Sequence, residues 1–415
     1  MQHIRNAVQQ FLKTQPPARI IAIGFALLIL CGAALLMLPF SVHPGVHITP
    51  LNALFTSTSA VCVTGLVVVD TGDTFSLFGQ LVIAVLIQIG GLGVASIGMG
   101  LALVTGRRIS LKGRSLVREA LNVENLNGMV KLVRAVLLMT VLCEAAGAVL
   151  SFPAFARDHM PLRAVWLSIF HSIASFNNAG FDALGGGTSL IPYRDDLLLN
   201  IVTDALVIVG GIGFMVILDV GRCRGNFRKM SFHTKVVLST TAVLLFGGMA
   251  LLQLTDGLGW MTAFFQSMTA RTAGFCTVDF STLSNAGLLV IMLLMFIGAC
   301  AGSTGGGFKV SRIVIGFKSV LAYLGAFLHP RAVRKVKFED KDVDSDTMHA
   351  ICVYFIAAIG LFVISVLLIS LDGFDLVSTF TAVAATFNNV GPGLGMAGPS
   401  SNFAAFSDFS KIVMT

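Results

Sequence analysis

Apolar residues run in long stretches along this chain, at 18–38, 79–104, 132–152, 197–219, 236–254, 286–301 and 350–371. A helix needs about 20 apolar residues to cross roughly 30 Å of hydrocarbon, so these stretches predict spanning helices. Between them lie shorter amphipathic stretches, Pro50–Val61, Leu162–Asn177, Gly259–Arg271 and Phe374–Asn388, too short to span alone. They carry related cores: Leu54-Phe55-Thr56-Ser57, Ile169-Phe170-His171-Ser172, Phe264-Phe265-Gln266-Ser267 and Thr379-Phe380-Thr381-Ala382. Each leads into a compact glycine motif: Cys62-Val63-Thr64-Gly65-Leu66, Asn178-Ala179-Gly180-Phe181, Thr272-Ala273-Gly274-Phe275 and Asn389-Val390-Gly391-Pro392.

The four motif glycines are 115, 94 and 117 residues apart, and each interval repeats one series of spanning helix, half-helix, glycine motif and spanning helix. This predicts an all-α polytopic membrane protein of four helix–pore loop–helix repeats around one pore. The repeats cover 18–106, 127–220, 233–320 and 347–415. They run in parallel, unlike the inverted repeats of many secondary transporters.

Composition agrees with a membrane chain. Of 415 residues, 55% are hydrophobic and 12% charged, where a soluble domain carries about 25% charge. The first apolar run is too long for a signal-peptide core, and Leu38-Pro39-Phe40 is no small-residue cleavage site. The net charge of +7 is placed by topology. With the N-terminus inside, 23 of the 28 Lys and Arg fall on one side: in the tail (Arg5, Lys13, Arg19), Arg107–Arg134, Arg222–Lys235 and Lys309–Lys341. This positive-inside bias sets a cytoplasmic N-terminus and argues against nucleic acid as a partner. The seven cysteines form no CxxC pair. Cys62 and Cys276 lie near glycine motifs, but two free thiols is the simpler reading.

Glycine takes positive φ without steric cost, so a loop that lines a pore with carbonyls calls for it. Four such loops, in register with four half-helices, read as a cation filter. Its candidates are Cys62, Val63, Thr64, Gly65, Asn178, Ala179, Gly180, Thr272, Ala273, Gly274, Asn389, Val390 and Gly391. Carbonyl oxygens can replace a cation's water shell. The motifs hold no carboxylate, which a divalent ion would require, so a monovalent cation fits. Asn177, Asn178, Asn388 and Asn389 read as braces for the loops. The face Gln88-Ile89-Gly90-Gly91-Leu92-Gly93, with Val209-Gly210-Gly211-Ile212-Gly213, reads as close helix packing through small residues.

With these motifs, the chain resembles the membrane subunit of the Trk/Ktr/HKT superfamily of potassium transport proteins, most closely the KtrB type. The resemblance covers essentially the whole chain, and Gly302-Ser303-Thr304-Gly305-Gly306-Gly307-Phe308-Lys309 also carries it. It implies potassium uptake across the bacterial cytoplasmic membrane, with sodium as a candidate activator and no cofactor in this chain. It implies a homodimer with a cytoplasmic ring of nucleotide-binding regulatory subunits (KtrA-like). From the residues alone, the break at Ala301–Gly307 is equally a packing device or a moving part. The resemblance implies a gate formed by Gly302, Ser303, Thr304, Gly305, Gly306 and Gly307. It also implies a further helix after the fourth motif, where only Asp408–Thr415 follows, so the last helix of the fourth repeat is expected to be incomplete.

Charges inside spanning runs are costly. Glu144 and Asp204 are expected to pair with other helices, and Asp219 with Arg222 at a membrane edge. Arg271 is expected to bridge to Asp182 or Asp279 in the outer vestibule. Lys309 is expected to mark the cytoplasmic boundary. Asp70 and Asp73 would raise cation concentration at the mouth. His171 reads as packed and hydrogen-bonded. A Walker A reading fails because Phe308 separates Gly307 from Lys309 and no soluble strand precedes them. A hydrolase using Ser303 and His349 has nothing to bring the two together. The alternatives kept open are a sodium-preferring or poorly selective pore and a non-conducting, shortened scaffold.

Overall fold

The computed structural model describes residues 15–105, 111–120, 129–328, 337–338, 341–342, 345–399 and 401–415. The basic tail residues Arg5 and Lys13, parts of the basic loop 107–134 and most of the charged stretch 330–346 lie outside the described residues. The chain is all-α. Among the described residues the sheet structure is a two-residue hairpin, Lys337-Phe338 with Lys341-Asp342, and one isolated bridge, Val42 with Phe75.

Among the described residues, four helices are long and apolar enough to cross a membrane: Pro17–Leu36, Met129–Phe155, Phe232–Asp256 and the stretch Asp346–Asp372. Between 17% and 28% of their most apolar windows is buried. Leu27, Leu142, Val243 and Ile356 stand exposed, while Ser57, Ser172 and Ser267 are fully buried. Apolar outside and polar inside reverses the soluble pattern and suits a lipid surround.

Each long helix is followed by a short one: Pro50–Val61, Pro161–Phe176, Trp260–Thr269 and Leu376–Phe387. Local chemistry starts them. Pro50 and Pro161 occupy first-turn positions where a missing N–H costs nothing. The Thr49 and Asp375 side chains accept from Asn52 and Ser378 N–H. The first three short helices are then pinned in the same way. Ser57 Oγ donates to Ile29 O at 2.7 Å, Ser172 Oγ to Glu144 O at 2.7 Å, and Ser267 Oγ to Leu245 O at 2.8 Å. Three residues after each acceptor stands a glycine, Gly32, Gly147 or Gly248. A Cβ there would come within 2.3–2.4 Å of the serine hydroxyl. The fourth short helix carries buried Val383, eight residues before Gly391.

The helices that follow the glycine motifs differ from expectation. The runs 79–104 and 197–219 are not straight spans. Leu77–Leu92 meets Val94–Leu103, and Leu197–Ile212 meets Phe214–Arg222, each at 97°. The corners are Gly93 and Gly213, with φ of 81° and 99°. Packing, the expected role, does apply to their neighbours: a Cβ on Gly90 or Gly210 would lie 2.0 or 1.9 Å from the carbonyl of Val61 or Phe176. The third such helix, Asn285–Ile297, stops at Gly298, and a loop runs to Lys309 before helix Val310–Leu328 begins. The fourth motif is followed by the short helix Asp408–Met414.

Candidate functional site

All four short helices end in the same kind of turn. The turn N–H groups of Thr64, Ala179 and Val390 reach back five residues to Ser59, Ala174 and Ala385 O, each at 2.8 Å. In the third turn Ala273 and Gly274 share Thr269 O, at 2.9 and 3.3 Å. Each turn then places two residues at positive φ with one ordinary residue between: Val63 and Gly65, Asn178 and Gly180, Thr272 and Gly274, Asn389 and Gly391. For the β-branched Val63 and Thr272 this is a strained conformation, held only because the surroundings over-determine it.

The turns meet in a closed ring. A Cβ on Gly65 would lie 2.5 Å from Ala179 O, one on Gly180 2.7 Å from Ala273 O, one on Gly274 2.5 Å from Val390 O, and one on Gly391 2.9 Å from Thr64 O. Each glycine thus abuts the carbonyl just before the next glycine, and the fourth turn closes on the first. Thr64, Ala179, Ala273 and Val390 are at most 4% exposed. Among the described residues, no hydrogen bond uses their four carbonyl oxygens. Leaving a buried acceptor unmade costs roughly 1–3 kcal/mol each, and four such oxygens in one ring are a set that could hold a cation or water. Among the described residues no cluster of His, Cys, Asp or Glu could hold a metal ion; the ligands on offer are backbone oxygens.

Asparagines brace the turns. Asn389 Nδ2 donates to Cys62 O at 2.6 Å, tying the fourth turn to the first. Asn388 Nδ2 donates to Ala384 O at 2.9 Å, and Asn178, with its amide turned to suit, donates to Val207 O at 3.2 Å. Asn177 Nδ2 reaches both Gln88 Oε1 and Glu144 Oε1 at 3.1 Å, so Glu144 pairs across helices as expected. Asp204 is buried with one oxygen unpartnered. His171 is packed between Phe155 and Phe275 and bonded to Thr203 Oγ1 at 2.8 Å. Cys62 and Cys276 are free thiols.

On one side of the ring lies a cavity of about 410 Å³, lined by all four ring glycines and by Asp70, Asp73 and Asp182. Asp70 and Asp73 are fixed by Gly187 and Gly186 N–H, each at 2.8 Å. Asp182 accepts from Leu184 N–H at 3.1 Å. Burial, then Asp70, then Asp73 push the Asp182 carboxyl up to about 7 against the pull of that bond. Among the described residues, no lysine or arginine lines this cavity.

The opposite side is closed by the loop 298–309. Arg271 was expected in the vestibule, but its guanidinium turns the other way and donates to Gly298 O at 3.1 Å. Lys309 is likewise no boundary marker: its ammonium donates to Gly305 O within the loop. Nor do Asp219 and Arg222 form the expected pair, since Asp219 accepts from Ser231 N–H at 2.9 Å. The loop satisfies its own backbone against its neighbours. Cys300 and Thr304 N–H donate to Gly211 and Gly210 O, at 3.1 and 3.3 Å, and Phe214 N–H donates to Gly302 O at 2.9 Å. The corner at Gly213 frees those groups from helical bonding, so the second bend is a dock for the loop. Sequence reading missed this dock; its one signal was Gly213 in a run where Gly210 and Gly211 already sufficed for packing. Ser303 Oγ donates to Cys300 O at 2.7 Å, and Thr304 Oγ1 to Phe176 O at 3.2 Å.

A shell of apolar helices around four short buried helices is the architecture of a polytopic membrane transport protein. A family model described as "TrkH: Cation transport protein" matches residues 5–245 and 230–415, and the chain belongs to that family. It is 40% identical to the potassium/sodium uptake protein NtpJ of Enterococcus hirae, over 73% of this chain and 69% of that one. It is 39% identical to the Ktr system potassium uptake protein B of Bacillus subtilis, over 77% of this chain and 73% of the relative. The crystal structure of the potassium transporter TrkH from Vibrio parahaemolyticus superposes with a TM-score of 0.76. It covers 97% of this chain and 81% of that one at 24% identity.

Proposed function

We propose that this chain conducts potassium ions through the ring of its four glycine turns. One observation carries the reading: the buried, unpaired carbonyls of Thr64, Ala179, Ala273 and Val390 face one another's turns in a closed circuit. Alternating backbone handedness turns successive carbonyls toward a common side, and neutral oxygens suit a weakly hydrated monovalent ion. The remaining residues of the turns, Cys62, Val63, Asn178, Thr272 and Asn389, hold that geometry. Gly302 to Gly307 form a gate beneath it. The basic loops set the N-terminus in the cytoplasm, so the acidic cavity opens outward. The resemblance of the sequence motifs to the KtrB type extends the proposal to a homodimer in the cytoplasmic membrane under a nucleotide-binding regulatory ring.

A second reading has its own support. The four turns differ in sequence, and one relative is named for both potassium and sodium, so sodium is either a permeant ion or an activator. Rubidium uptake into proteoliposomes, with and without sodium, tests both. Potassium-selective flux that Gly180→Ser weakens supports the first. Equal sodium flux supports the second. No flux from the folded protein overturns both.

A further inference from the structure

We infer that Thr272 and Arg271 are positioning residues that latch the gate loop to the third turn, so that ion occupancy of the ring and closure of the loop are one coupled equilibrium. The inference rests on the pore reading above and deepens it. Thr272 occupies the strained position of its turn, at φ 74°. Its hydroxyl oxygen accepts from Gly306 N–H of the loop at 3.0 Å. The residue beside it, Arg271, holds Gly298 O at the other end of the same loop. Consecutive residues of one turn therefore grip both ends of the loop.

The fit is close enough that movement on one side is felt on the other. A Cβ on Gly305 would lie 2.6 Å from Thr272 Oγ1, and one on Gly306 would lie 2.6 Å from Asn388 O and from Asn389 Cβ. Gly298 and Gly307 touch where the loop's ends close, with a Cβ on either within 2.6 Å of the other's Cα. The loop also carries Lys309 folded back on Gly305. A loop that withdraws takes the Gly306 donor from Thr272 and the Gly298 acceptor from Arg271 together. The turn then loses part of what holds its positive φ, one residue before the Ala273 carbonyl of the ring. Since coupling is reciprocal, an ion that stabilises the turn must also stabilise the closed loop.

The test is hydrogen exchange on the full chain in lipid nanodiscs, in potassium against choline. In the wild type, potassium is expected to slow exchange at the turn amides and at loop residues 299–308. Thr272→Val keeps the shape and removes the acceptor. It is expected to speed loop exchange about fivefold, the change that accompanies losing one neutral hydrogen bond, and to abolish the loop's response to potassium while the first, second and fourth turns still respond. Thr272→Ser should restore both. If Thr272→Val silences the turns as well, Arg271→Met decides, because it breaks the other tether and leaves Thr272 in place. Faster loop exchange with responsive turns upholds the latch, and any other result overturns it. Loop exchange in Thr272→Val that matches the wild type overturns it too. Turns that respond to potassium while the wild-type loop does not overturn the latch alone. No response at any amide overturns the ion-binding reading of the ring along with it.

Discussion

On one side of the glycine ring lies a cavity of about 410 Å³ walled by Asp70, Asp73 and Asp182. On the other side the loop 298–309 fills the space, and two nearby cations, Arg271 and Lys309, are each turned onto a loop carbonyl. The open side holds anions by backbone N–H groups; the closed side holds cations by backbone C=O groups. On the proposed pore reading, the two sides of the ring have opposite roles. On that reading the carboxylates of Asp70 and Asp73 concentrate cations at the open mouth. In the same reading the loop adds bulk and the charge of Lys309 on the far side, while Arg271 belongs to the turn and stays with the ring.

The largest effect should come from the ring itself, where the two sides meet. Gly65→Ala places a methyl group 2.5 Å from Ala179 O at a φ of 78°. Neither neighbour is a flexible side-chain tip, so the backbone must move and the circuit of carbonyls opens. Rubidium uptake is expected to fall at least about tenfold, a change of roughly 1.4 kcal/mol that a single strained residue of this kind readily exceeds. Uptake within twofold of the wild type would mean that this ring does not separate the two sides.

Next come the two corners, alike in angle and different in company. Alanine at either pays about 1–2 kcal/mol for positive φ. At Gly93 that is all, since a Cβ there has nothing within 4 Å. At Gly213 a Cβ also lies 2.8 Å from Ala301 O of the loop. Thermal unfolding should therefore fall further for Gly213→Ala than for Gly93→Ala. Proteolysis or exchange of residues 298–309 should rise only in the former. Equal behaviour would mean that the second bend is not the loop's dock.

These corners mark where sequence reading stops. The short helices were legible because a glycine motif ends all four, and proline at the first turn starts two of them, at Pro50 and Pro161. The glycine motifs stood out because four recur in register. The bends did not stand out, because Gly93 and Gly213 sit in the same apolar runs as Gly90, Gly91, Gly210 and Gly211. The same residue type serves close packing in one place and positive φ in the next, and only the backbone separates them. Arg271 could be recognised as a costly cation beside a turn. Which way it faced depended on an acceptor at Gly298, remote in sequence and unmarked by any side chain. The pairing of Thr272 with Gly306 was hidden for the same reason.

Smaller effects are expected on the open side, where water screens part of each interaction. The Asp182 carboxyl is raised from 3.8 to about 7, first by burial and then by Asp70 and Asp73. A raised carboxyl favours the folded state in its neutral form. Its stabilising contribution is complete below the ordinary range and is lost as pH rises through about 7. The melting temperature should therefore decline between pH 4 and 7 in the wild type and decline less in Asp182→Asn. A parallel decline in the variant would assign the titration to another group.

The smallest expected effect lies away from both sides, in the serine pins of the first three short helices. Ser57→Ala removes a 2.7 Å bond to Ile29 O but leaves that carbonyl its helical partner, and it opens room beside Gly32 rather than closing it. About 1 kcal/mol of stability should be lost, with rubidium uptake unchanged both with and without sodium. The fourth helix already has Val383 at the matching place, fully packed and with no hydroxyl, so the pin is a stabilising device and not a condition for seating a turn in the ring. If Ser57→Ala instead altered selectivity, the pins would belong to the ring's geometry. The contrast between an attracting side and a closing side would then have to include the scaffold that holds the two apart.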